Sequence, residues 1–110
     1  MSDPNHSPFT PLNALTDEDR IIHAPARLAI MSCLAVVESA DFLFLLRQTG
    51  LTKGNLSSHL SKLEEAGFVE ITKEFLKKTP HTLLSLSEKG QKAFQDYQAR
   101  MSAILKGSAE

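Results

Sequence analysis

Residues 51–67 read LTKGNLSSHLSKLEEAG, and two patterns are superimposed in them. Leu56, Leu60 and Leu63 recur at i, i+4 and i+7, which puts all three on one side of a helix and turns that side toward a core. Lys53, Gly54, Asn55, Ser57, Ser58, Ser61 and Lys62 are left on the outer surface, a face of short hydrogen-bonding chains and two lysines without an acid. Thr52 is placed to cap the first amides and Gly67 to stop the last turn, so the predicted helix runs from 52 to 66. Serine, asparagine and glycine are poor helix formers and an odd choice for a face that only needs solvating. They suit a major groove better. Small residues allow close approach, asparagine pairs with adenine, and serine and lysine reach base edges or phosphates. Glu64 and Glu65 lie at the other end of the helix.

Upstream, Asp41 is a cap for a helix over Phe42–Gln48, and Gly50 supplies the left-handed residue that ends it. Two helices joined by a turn of about four residues have helix-turn-helix spacing. Before them, Pro25 opens a helix to about Ser39 that is apolar around much of its circumference (Leu28, Ile30, Met31, Leu34, Val36, Val37) and is read as central and buried. Thr16, followed by Asp17, Glu18 and Asp19, opens a short helix that carries Ile21 and Ile22. Residues 1–11 hold Pro4, Pro8 and Pro11 among small polar residues and read as a mobile tail ahead of a domain over 12–106.

Downstream the period changes. Phe68, Val69, Ile71 and Thr72 predict a short strand, and Thr82 to Leu86 its partner. Between them Lys73 to His81 reads as a polar loop, a hairpin tip at which Lys77 and Lys78 can reach phosphates or lie along a minor groove. Lysines that guard an exposed strand edge are the alternative. Ser87 caps a last helix, 88–106, with Phe94, Tyr97, Met101 and Ile104 at spacings of three and four. This stripe, with Leu12 and Leu15 from the N-terminal segment, is the expected dimer interface, and packing within one protomer is the alternative. The expected class is α+β, mainly α, with a two-stranded hairpin and flanking N- and C-terminal helices.

Composition bounds the function. Apolar residues make up 42% and charged residues 23% of 110, ordinary for a globular chain, and no run approaches the roughly 20 apolar residues that cross a bilayer. No secretory leader is evident, so the cytoplasm is expected. The net charge of −1 gives nucleic-acid binding no general help, and a positive patch must come from local distribution. Ser57, Ser58, His59 and Glu64 are an unsuitable catalytic set, because neighbours on a helix diverge and no glycine-rich oxyanion turn accompanies them. His6, His23, His59 and His81 are scattered. Cys33 is expected as a buried structural thiol, with a redox cysteine as the alternative. No cofactor or metal is expected.

The stretch LTKGNLSSHLSKLEEAGFVEI resembles the recognition helix and first wing strand of winged helix-turn-helix regulators of the MarR/ArsR type. RIIHAPARLAIMSCL before it resembles the lead-in of compact single-domain members, and the likeness spans about residues 16 to 104. The resemblance implies a transcriptional regulator that binds double-stranded DNA as a homodimer on a pseudo-palindromic operator. It puts Thr52, Lys53, Asn55, Ser57, Ser58 and Lys62 at the DNA and Lys77 and Lys78 in the wing, with His59 as a partly buried helper touching a phosphate. The wing has lysines where the family's tips are richer in arginine. A winged helix that binds protein instead of DNA is the rival reading.

Overall fold

The computed structural model describes residues 14–107, so the tail and Leu12 lie outside it. Among the described residues the elements follow in the order α1 (Asp17–Ile22), α2 (Pro25–Ala35), β1 (Ala40–Asp41), α3 (Phe42–Thr49), α4 (Lys53–Glu65), β2 (Val69–Leu76), β3 (Thr79–Leu86) and α5 (Glu88–Leu105). Local chemistry sets the helix starts. The side chains of Thr16, Asp41, Thr52 and Ser87 each accept from a first-turn amide, and Pro25 stands at the head of α2, which has no side-chain cap. Thr16 and Asp19 form a reciprocal capping box, with Thr16 Oγ1 accepting from Asp19 N–H at 3.0 Å and Asp19 Oδ2 from Thr16 N–H at 3.1 Å. Gly50 ends α3 at φ 71°, its N–H donating to the Leu46 carbonyl at 3.1 Å.

One apolar core joins every helix. Ile22, Ile30, Met31, Leu34, Leu45, Leu56, Leu60, Leu63, Phe68 and Leu84 are buried together, with Phe94 and Tyr97 of α5 closing it. Helix α2 stops at Ala35, four residues short of the expected end, and leaves Val36 83% exposed. Cys33 is half-buried against the core.

The sheet differs from the expected hairpin in two ways. It has three strands, ordered β1-β3-β2, because Ala40 and Asp41 pair antiparallel with Leu84 and Leu83. The hairpin is also longer than expected. β2 and β3 pair without a break from Val69–Leu86 to Leu76–Thr79, so the residues read as a polar loop are ladder, and only Lys77 and Lys78 turn. Both have positive φ, 52° and 66°, as a two-residue turn matched to strand twist requires. Asn-Gly or Asp-Gly usually announces such a turn. A Lys-Lys pair gives no such signal.

Candidate nucleic-acid interface

Helix α4 is anchored by Leu56, Leu60 and Leu63, all buried. Because a helix turns 100° per residue, that anchoring fixes what it presents outward. Thr52, Lys53, Gly54, Asn55, Ser57, Ser58, Ser61 and Lys62 are exposed, as the leucine spacing predicts, and His59 is half-buried at the edge of this face. From Phe42 to Leu63, across α3 and most of α4, Arg47, Lys53 and Lys62 are present without an acid. In a chain of net charge −1 this is the uneven distribution that phosphate attraction needs.

The hairpin flanks one side of α4. Val69, Ile71, Lys73 and Phe75 alternate onto one face of β2, paired with Leu86, Leu84, Thr82 and Pro80. The inner part of that face is core. The outer part turns beside α4, where Ser57, Leu60 and Ser61 meet Ile71, Lys73 and Thr82 around a cleft of about 240 Å³. Lys73, counted in the sequence only as a loop lysine, therefore belongs beside the serines of α4. Lys77 and Lys78 are exposed at the far tip, beyond Phe75, which is 75% exposed, and Leu76, 50% exposed. The structure brings Lys53, Asn55, Ser57, Ser58 and Lys62 onto one surface, and keeps the two tip lysines apart from them at the end of the hairpin.

The other side of α4 is flanked by α2. Arg27 donates through Nε to the carbonyl of Ile21 and through Nη1 to His59 Nδ1 at 3.3 Å. Burial pushes the His59 pKa below its ordinary value, and the charges of Arg27 and Lys62 lower it further. Ile21, Arg27, Lys62, Glu65 and Ala66 line a shallow cleft here. Arg27 was not singled out from the sequence, where 32 residues separate it from His59.

The expected dimer stripe is divided by the fold. Leu15, Phe94 and Tyr97 are buried within the protomer, because α1 packs across α5 and covers the N-terminal half of the stripe. Tyr97 Oη pairs with His23 Nδ1 at 2.8 Å, and its pKa is raised by burial and by the nearby Asp19 charge. Met101 and Ile104 remain half-buried, followed by Leu105, 79% exposed. Among the described residues no grouping of His, Cys, Asp or Glu could hold a metal ion, and no helix is long and apolar enough to cross a membrane.

Comparison with known proteins gives the same arrangement. Residues 26–105 match the family model described as a winged helix DNA-binding domain. An uncharacterized protein of Methanocaldococcus jannaschii is 38% identical over 78 residues, which is 71% of this chain and 85% of that protein. A transcriptional regulator homologue from Pyrococcus horikoshii OT3 superposes with a TM-score of 0.79 at 26% identity, covering 90% of this chain and 96% of the other. A MarR-family regulator from Porphyromonas gingivalis W83, 17% identical with a TM-score of 0.66 over 96% and 95% of the two chains, shares the fold. The family and its fold are those of transcriptional regulators, not of enzymes. With its capped helix pair, its leucine-anchored α4 and its hairpin, the chain belongs to the winged helix DNA-binding domain family.

Proposed function

We propose that the protein is a sequence-specific transcriptional regulator, acting in the cytoplasm as a homodimer that inserts α4 into the major groove of a pseudo-palindromic operator. The observation that carries this reading is the exposed face of α4. Its three leucines are buried, and what remains outward is Lys53, Gly54, Asn55, Ser57, Ser58 and Lys62. Asn55 and the serines read base edges, Thr52, Lys53 and Lys62 hold phosphates, and His59 supports them from the edge. On the hairpin, Lys73 approaches the backbone beside Ser57 and Ser61, while Lys77 and Lys78 reach the backbone or minor groove farther out.

The dimer rests on the end of α5. Leu28, Tyr97, Met101, Ser102 and Leu105 line an open, mainly apolar groove of about 450 Å³, and an exposed leucine at a helix end is covered well by a second copy. Leu15, Phe94 and Tyr97 then support the contact from inside the protomer, and Met101, Ile104 and Leu105 make it. A two-fold arrangement would set two α4 helices about 34 Å apart, one turn of DNA.

The test is fluorescence anisotropy on DNA from upstream of the protein's own gene. The expected results are a steep loss of affinity with added salt and loss of sequence preference in the Lys53→Ala/Asn55→Ala double variant with the fold intact. Unchanged binding by that variant would remove α4 as the reading element. The exposed Phe75 and Leu76 favour a second reading, a hairpin that grips a protein partner. Salt-insensitive behaviour and no DNA binding would support it.

A further inference from the structure

The α2 side of α4 holds a cation that the major-groove reading does not use, Arg27, set beside two residues that it does use, His59 and Lys62. Arg27 of α2 meets His59 of α4 at 3.3 Å, and Lys62 lies one turn farther along on the same side, sharing a cleft with Arg27. A guanidinium can only donate, so His59 Nδ1 must accept, and the ring is neutral with its proton on Nε2. No described residue accepts from that Nε2–H, and no buried side-chain nitrogen or oxygen among the described residues lacks a partner; the N–H therefore opens to solvent. Neither Arg27 nor Lys62 has a carboxylate within ion-pair distance among the described residues, although Glu65 lines the same cleft. Two unpaired cations and one outward N–H donor thus converge beside a face built to enter a groove. Lys73 occupies the corresponding place on the hairpin side, next to Ser57 and Ser61.

A major groove about 12 Å wide is bordered by two phosphate strands, and a helix seated in it meets one on each side. We infer that Arg27, His59 and Lys62 form a phosphate anchor for the strand opposite the wing, with Arg27 making the principal contact and orienting the His59 Nε2–H toward the same backbone. The inference rests on the major-groove reading of α4 and adds a second rail to it. Arg27 is already fixed through Nε by the Ile21 carbonyl, so it meets the DNA with little freedom left to lose. Base identity plays no part in this contact. It contributes equally on every sequence.

The experiment is a salt titration of anisotropy on two labelled duplexes, the upstream DNA and a duplex of mixed sequence, with all variants first shown to be folded by thermal melting. Arg27→Gln is expected to weaken both duplexes by the same factor, about tenfold, and to lower the slope of log affinity against log salt by about 1. Arg27→Lys, which keeps the charge, restores the slope even if the Ile21 and His59 contacts loosen. His59→Leu weakens both duplexes, and His59→Gln, which restores an N–H donor, recovers part of that loss. Glu65→Gln strengthens binding. A wild-type slope in Arg27→Gln overturns the anchor and leaves the major-groove reading standing. A wild-type protein that binds neither duplex removes that reading and the anchor with it.

Discussion

Arg100 reaches back across 81 residues of chain to Asp19, its Nη2 donating to Oδ1 at 2.8 Å while its Nε donates to Oδ2. Asp19 is 1% exposed and also closes the capping box with Thr16, so one buried carboxylate starts α1 and fastens it to α5. Replacing Asp19 with alanine removes the carboxylate half of the capping box and the bidentate pair together, while the Thr16 hydroxyl still accepts from the backbone N–H of residue 19. The expected loss is about 2 kcal/mol of stability, read as a lower urea midpoint, with α1 freed from α5 and Tyr97 exposed. Asp19→Asn, which keeps the shape but not the charge, should lose less.

Acid should weaken the fold in two stages. The hydrogen bond from Arg100 holds the Asp19 carboxyl below its usual 3.8, although burial opposes this. His59 is held below 6.5 by burial and its cationic neighbours. In each case the unfolded chain takes up the proton first, so each contribution is complete above the unfolded value and fades as pH falls through it toward the folded one. Melting temperature is expected to decline first below about pH 6.5 and again below about pH 4. His59→Gln removes the first decline and Asp19→Asn the second, which urea melts from pH 7 to 3 would resolve.

Two glycines should respond in opposite directions. A Cβ on Gly90 would lie 2.0 Å from the carbonyl oxygen of Phe68, which already accepts from the Ser87 N–H. Gly90→Ala is therefore expected to cost about 3 kcal/mol or to prevent folding. Gly54, on the outward face of α4, has nothing within 4 Å of such a Cβ. Gly54→Ala should stabilise the helix by about 0.5 kcal/mol and still weaken DNA binding, because the added methyl would stand between helix and groove. A variant that melts higher and binds equally well would show that α4 does not approach its target closely there.

At the hairpin tip, Lys77 and Lys78 hold left-handed conformations that favour other residues. Substituting Lys77→Asn with Lys78→Gly supplies the preferred turn and should stabilise the hairpin by about 1 kcal/mol. If the tip touches phosphate, the same change lowers the salt slope by as much as 2. Stability and affinity would then move apart, which calorimetry and anisotropy measure separately.

For the dimer, Ile104→Asp with Leu105→Asp puts charge where the apolar end of α5 would meet its copy. Sedimentation equilibrium is expected to show a dimer for the wild type and a monomer for the variant, with the monomer binding a half-site more weakly. A monomeric wild type would refute the two-fold arrangement.

Features with local causes were legible in the sequence. Thr16, Asp41, Thr52 and Ser87 cap as their positions suggested, and Leu56, Leu60 and Leu63 orient α4 by spacing alone. Features made by distant partners were not. β1 is two residues long and exists because Leu83 and Leu84 pair with it, a relation that no local pattern announces. The polar residues from Lys73 to His81 carry a loop composition, yet the register continues through them, closed by a lysine pair in place of the usual turn residues. Phe94 and Tyr97 show helical spacing either way, and only the position of α1 determines that they are covered from within. Arg27 gained meaning only when α2 was placed against α4.

The bridge at Ala40–Asp41 has a mechanical consequence. Asp41 lends its backbone to β3 and its side chain, at 2.7 Å, to the Phe44 amide that begins α3. One residue thus ties the start of α3 to the hairpin. If α4 reads DNA as proposed, this tie helps to set the span from α4 to the hairpin within the protein itself. A duplex whose groove width does not match that span would itself bend or narrow to fit, so the protein would select among DNA sequences by their compliance as well as by their bases.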